Sequence, residues 1–256
     1  MTEPRTCMFC DSPASTKEDA WPLWIVRRFP APLAVTVEAE RKGVSLSPWR
    51  QTGFFAKVRS VCASCNNGWM SRLETEAKPA IEKVLSNDEL ILTEPERELI
   101  ARWVLKTAMV FEAVGGKGWF YSAAERKSVR DGKIPSGYSG IWVARCRGLS
   151  GAFADANNMF ETSALSTAGV HGHVTTLAFG GVAFQVLTVR PSVAVPKNAV
   201  ITIGEANVEP WPDTALQLWP PTVPFDWPPT IGLHGEPGVE AFSSRFKALS
   251  APSRTG

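Results

Sequence analysis

Read for its apolar and polar positions, the chain changes period near its middle. Over residues 66–85, NNGWMSRLETEAKPAIEKVL places Trp69, Leu73, Ala77, Ile81 and Val84 three or four apart, the stripe of an amphipathic helix that Pro79 is expected to kink or split. A second helix begins at TEPE, where Thr93 and Glu96 form a capping box with Pro95 in the first turn, and Gly115-Gly116 supply its stop. Leu99, Ile100, Trp103, Val104, Thr107, Val110, Phe111 and Val114 share one face of it. Arg102 and Lys106 then fall on its flank, where long cations ordinarily do no more than solvate. A shorter helix follows Ser122, with Glu125 again three residues on.

From about residue 140 the period becomes that of strands: GIWVARC, GAFADANNMFETSA, VHGHVTTLAF, GGVAFQVLTVR and NAVITIG, each bounded by Gly, Pro or Asn. Short connections such as Gly180-Gly181 favour antiparallel pairing, and the implied class is α+β, with the 94–114 helix packed on an antiparallel sheet. Residues 209–230 hold seven prolines and three tryptophans. That density excludes helix or sheet interior and predicts a segment wrapped over the surface with its Trp rings in grooves. The last residues, FSSRFKALSAPSRTG, read as a short helix and a frayed tail. The resulting division is 1–85, 86–206 and a Trp/Pro-rich extension with the C-terminal tail, 207–256.

Composition narrows the class without naming a chemistry. A hydrophobic share of 44% and a charged share of 20% belong to an ordinary globular chain, so any metal site need not be its only source of stability. No apolar run reaches the roughly 20 residues of a membrane span and MTEPRTCMFC lacks a secretory pattern, which predicts a cytoplasmic protein without a membrane partner. Residues 27–59 carry Arg27, Arg28, Arg41, Lys42, Arg50, Lys57 and Arg59 against Glu38 and Glu40. Such a stretch can meet a phosphate backbone or form a solvated face.

Four of the five cysteines fall in two CxxC pairs, Cys7/Cys10 and Cys62/Cys65. In a reducing compartment that spacing points to a metal rather than to disulfides. Two CxxC turns deliver four thiolates to a tetrahedral ion, and the helix that follows Cys65 aims its N-terminal amides at the resulting negative charge. The closed shell implies a structural Zn²⁺, with iron–sulfur binding as the less common use of this spacing. Cys146, within a strand, reads as a small core residue. His171 and His173 alternate on a strand and face one way, as a metal or base pair or, more commonly, as partly exposed surface.

The first pair is followed by STKEDAWPLWIVRRF and the second reads VCASCNNGWMSRLE. Together they resemble the HNH (ββα-metal) endonuclease superfamily, in its zinc-containing endonuclease VII-like branch, over roughly residues 7–78. The resemblance implies an N-terminal zinc-stapled ββα-metal-like module ahead of the helix and antiparallel-sheet domain. It implies Glu18 and Asn66 as ligands of a catalytic Mg²⁺ or Mn²⁺, and Asp19 at the position of the general base. The family has His there, and an aspartate needs a raised pKa to serve. Nucleic acid, DNA ahead of RNA, is then the expected partner, with Arg27, Arg28, Arg50, Lys57 and Arg59 on phosphates. Two alternatives stand beside this. One is a non-catalytic zinc module that binds nucleic acid or protein; the other has Glu18 and Asp19 merely capping a helix through Trp21-Pro22-Leu23-Trp24.

Overall fold

The structure, a computed structural model, describes residues 6–29, 35–41, 44–51, 57–115, 119–135, 138–149, 151–161, 170–191, 213–221 and 225–246; of 35–41, 44–51, 115, 138, 157–161, 170 and 191 it describes the backbone alone. The expected strand at 198–204 and Trp211 lie outside the described residues.

The N-terminal part runs β1 (Thr16–Asp19), α1 (Leu23–Arg28), β2 (Val35–Arg41), β3 (Val44–Gln51), β4 (Lys57–Val61), the helical turn α2 (Ala63–Cys65) and α3 (Ser71–Ser86). Strand β1 pairs antiparallel with β4, with a register shift between Thr16 and Glu18, and β2 and β3 form a separate hairpin. Glu18 and Asp19 are thus strand residues. Helix α1 has Pro22 at its N-cap and no acidic residue in its first turn, so the capping reading of Glu18 and Asp19 is set aside. Between α2 and α3, Asn66–Met70 make one π-helical turn in which Gly68 departs from helical geometry (φ −94°, ψ −107°). Helix α3 then runs unbroken through Pro79, against the expected split. Pro79 is exposed while Leu73, Ala77, Ala80, Ile81 and Val84 are buried, so the backbone bond lost at proline lies on the wet side and packing of the apolar stripe holds the rest.

After β5 (Leu90–Ile91) comes α4 (Glu94–Gly115), which starts with the expected box: Thr93 N–H and Oγ1 both donate to Glu96 Oε2 at 2.9 Å. Helix α5 (Ala123–Arg130) begins with a second box, Ser122 with Glu125. There follow β6 (Tyr138–Arg147), β7 (Ala152–Glu161), β8 (Val170–Phe179), β9 (Val182–Pro191), β10 (Ala215–Trp219), β11 (Asp226–Trp227), β12 (Leu233–His234) and α6 (Gly235–Ser244). The six-stranded sheet has the order β10-β6-β9-β8-β7 with β12 beside β6, antiparallel except for the β12 pairing. Its β8–β9 hairpin closes on Gly180 (φ 56°) and Gly181 (φ 103°), the double positive φ of a tight turn, and a Cβ on Gly180 would strike the ring of Phe29. The class is α+β, a mixture of helices and antiparallel sheet.

Alternation along the strands decides what covers each face. Ile141, Val143, Leu177, Phe179, Phe184 and Val186 belong to the core that contains α4. The intervening Ala144, Cys146, Ala178 and Ala183 pack with Val239 and Phe242 of α6, small residues that let this helix approach closely. Cys146 is a core residue, as its strand setting implied. Helix α4 is buried on every side over 103–110, because α3 covers the flank turned away from the sheet. No wet flank is left for Lys106, which is 1% exposed, and the expectation that it solvates is corrected. The Trp/Pro-rich segment supplies the edge strand β10 and the buried ring of Trp227, while α6 begins earlier than the sequence indicated, at Gly235. Among the described residues no helix is long and apolar enough to cross a membrane.

Candidate metal centre

Two loops bring the four cysteines together. In the first, Cys7 N–H donates to the Ser12 carbonyl (2.7 Å), and Met8 N–H reaches across to the Ser60 carbonyl of β4 (2.8 Å). In the second, Cys62 caps α2 and its Sγ accepts from the Cys65 amide at 3.5 Å. The β1–β4 ladder sets the distance between the loops, and all four Sγ atoms lie within 4.8 Å of one another. Cys10 Sγ stands 3.5 Å from both Cys62 Sγ and Cys65 Sγ. A tetrahedron with metal–sulfur bonds of about 2.3 Å has an edge of about 3.8 Å, so these separations suit a bound zinc and are far longer than a disulfide.

The thiols are not equivalent. Burial pushes Cys65 up, helped by the Cys10 and Cys62 sulfurs, while the indole of Trp69 pulls the other way. Burial also raises Cys7. At Cys62, burial raises the pKa, but the Ser64 hydroxyl (Oγ 3.5 Å from Sγ) and the Cys65 amide outweigh it and bring the thiol to about 6. At Cys10, burial is likewise outweighed, by the Ser12 hydroxyl and amide, and the thiol is lowered. At Cys62 and Cys10 the surroundings thus favour the thiolate, at Cys7 and Cys65 burial favours the thiol, and a bound cation would favour the thiolate at all four. That is the donor set of a metal site.

The residues expected beside the centre divide. Asn66, directly behind Cys65, donates from Nδ2 to Thr16 Oγ1 at 3.4 Å and so meets the strand that carries Glu18. Glu18 points inward at 7% exposure, and its carboxyl has no hydrogen bond or ion pair among the described residues. Burial pushes it up to about 7; Lys106 pulls it down, and Glu74 and Asp19 push it further up. Asp19 lies on the other side of the strand, 2.8 Å from Lys57 Nζ in an ion pair rather than in Glu18's enclosure. Sequence reasoning missed Glu74 and misjudged Lys106, which form a 2.8 Å ion pair between α3 and α4 close enough to act on Glu18. The signal was there: a single lysine inside the apolar run 103–111 is badly placed unless it is paired.

Of the basic residues, Arg27, Arg28, Lys57 and Arg59 are exposed, with Arg28 3.5 Å from Glu82. The side chains of Arg41, Lys42 and Arg50 lie outside the described residues. His173 is not surface: it is buried, 3.1 Å from Thr175 Oγ1 through Nε2 and stacked on Phe120 (5.3 Å between centroids). The neighbours Phe120 and Tyr121, brought in by the turn before α5, cover it. Comparison with models of protein families, with characterised proteins and with solved structures finds no match to this chain.

Proposed function

We propose that the chain is a divalent-metal-dependent hydrolase of nucleic acid built on an HNH-like scaffold, with zinc at the four cysteines in a structural role. The observation that carries the reading is the contact of Asn66 with Thr16, which joins the residue behind the second cysteine pair to the strand of Glu18. The order of elements agrees with it: β1 paired with β4, then helix. A buried carboxyl without a hydrogen-bond partner, on the strand that a side-chain amide touches, supplies oxygen donors of the kind that a Mg²⁺-type ion takes. Such an ion would polarise a phosphodiester and activate water. Glu18 and Asn66 would hold it, and Arg27 and Arg59 would orient the phosphate backbone.

Asp19 favours a second reading. Its pairing with Lys57 removes it from Glu18's enclosure, which leaves the position of the family's histidine without a proton acceptor. On that ground the module binds nucleic acid or protein without hydrolysing it. A plasmid-nicking assay on zinc-loaded protein in Mg²⁺ or Mn²⁺ separates the two. Cleavage by wild type that disappears in Glu18→Ala carries the hydrolase. A folded, zinc-loaded wild type that cuts no DNA or RNA, and still retards it in a gel, transfers the conclusion to the binding module.

A further inference from the structure

Helix α5 lies against the first cysteine loop. The two residues between Cys7 and Cys10 each offer a carbonyl, and each carbonyl is taken by a guanidinium of that helix. Arg126 Nε donates to Met8 O at 2.7 Å, and Arg130 Nη1 donates to Phe9 O at 3.4 Å. The two arginines are four residues apart and so fall on one face of α5. Arg126 is buried, its Nη1 donates to the Tyr121 carbonyl, and its guanidinium lies 4.6 Å from the Trp119 ring centroid. Arg130 is held from behind by Asp131, whose Oδ1 accepts from Nε at 3.0 Å, which leaves Nη1 turned to the loop. Phe9 directly precedes Cys10, so this guanidinium borders the cysteine cluster.

From this geometry we infer that Arg126 and Arg130 are the outer shell of the metal centre. Arg126 positions the Cys7–Cys10 loop, and Arg130 both positions it and offsets the charge of the metal–thiolate group. A zinc ion with four thiolates carries a net charge of about −2, and a low-dielectric setting makes that charge costly without a cation nearby. Arg130 meets that requirement from a different part of the chain. The 123–130 helix thereby takes part in a site whose ligands all lie within the first 65 residues. The inference rests on the cysteine site alone and stands whether or not the chain cleaves nucleic acid.

The test uses full-length protein loaded with Zn²⁺ or Co²⁺, comparing wild type with Arg130→Gln and Arg130→Lys. Arg130 is partly exposed at the end of its helix, and an unchanged melting temperature of the loaded Arg130→Gln protein checks that it folds. Loss of an outer-shell partner typically costs 10–100-fold in metal affinity. Arg130→Gln should therefore hand zinc to a chromophoric chelator roughly tenfold faster or more, and should shift the thiolate-to-cobalt charge-transfer band. Arg130→Lys, which keeps the charge, should fall between. Wild-type release kinetics and an unmoved cobalt band in Arg130→Gln overturn the inference, and a lysine variant indistinguishable from glutamine overturns the charge role. Wild type that binds neither ion removes the centre itself.

Discussion

At the scale of single residues, two buried carboxyls give the protein a pH dependence of definite sign. Glu112 of α4 is raised from 4.5 to about 7, chiefly by burial, although the Phe120 and Tyr121 amides and the charges of Arg126 and Arg190 pull it down. The folded state thus holds a proton that the unfolded chain releases near 4.5. The corresponding stability is fully present below that pH and is lost as pH rises through about 7. For this one group the loss is on the order of 3 kcal/mol. Glu18, also raised to about 7, adds to it in the same direction. Glu96 and Glu125 work the other way: paired with Lys83 and Arg190, they are lowered, and stability from them falls as acid protonates them. Chemical denaturation at intervals from pH 5 to 8 should show Glu112→Gln losing clearly less stability across that range than wild type. Equal slopes in the two proteins would assign the pH dependence elsewhere.

Elements show how far local rules survive assembly. The capping boxes at Thr93 and Ser122 and the diglycine turn at 180–181 form where the residues place them, because each is satisfied by atoms three or four positions away. Pro79 is the exception. Its rule is also local, yet α3 passes through it, because the buried stripe from Leu73 to Val84 has a fixed partner in α4 and the interruption faces water. The helix therefore exists in spite of this residue, and replacing it should help. In a helix interior proline is about 3 kcal/mol less favourable than alanine. Since the structure has already adapted to the ring, part of that is recovered, and Pro79→Ala should stabilise by roughly 1–3 kcal/mol in urea unfolding. An unchanged or lowered midpoint would mean that the ring makes a contact worth as much as the backbone bond it removes.

For the whole molecule, what the sequence disclosed depended on separation along the chain. The two cysteine pairs were legible because the spacing within each pair is a local signature, although Cys10 and Cys62, 52 residues apart, become neighbours only through the β1–β4 ladder. Lys106 with Glu74, Arg126 with Met8 and His173 with Phe120 were not legible. Each side chain acquires its role from a neighbour that only tertiary packing supplies; the apolar run around Lys106 shows that it needs a partner but not which one. The cysteines themselves allow this distinction to be measured. Cys7, Cys10, Cys62 and Cys65 form a cluster that could hold a metal ion, whereas Cys146 is buried between the sheet and α6 at 2% exposure and has no part in it. Zinc-loaded protein should carry one metal per chain and react slowly with a thiol reagent. Chelation under native conditions should expose all four thiols, Cys62 and Cys10 reacting first and the buried Cys7 and Cys65 more slowly, and lower the melting temperature. Cys146 should respond only after the sheet unfolds in denaturant, since reaching its sulfur requires α6 to leave the Ala144–Ala178–Ala183 surface. Five thiols reacting together would mean that the centre and the sheet come apart as one unit. Four reacting at the same rate with and without chelator would mean that the cysteine cluster holds no metal.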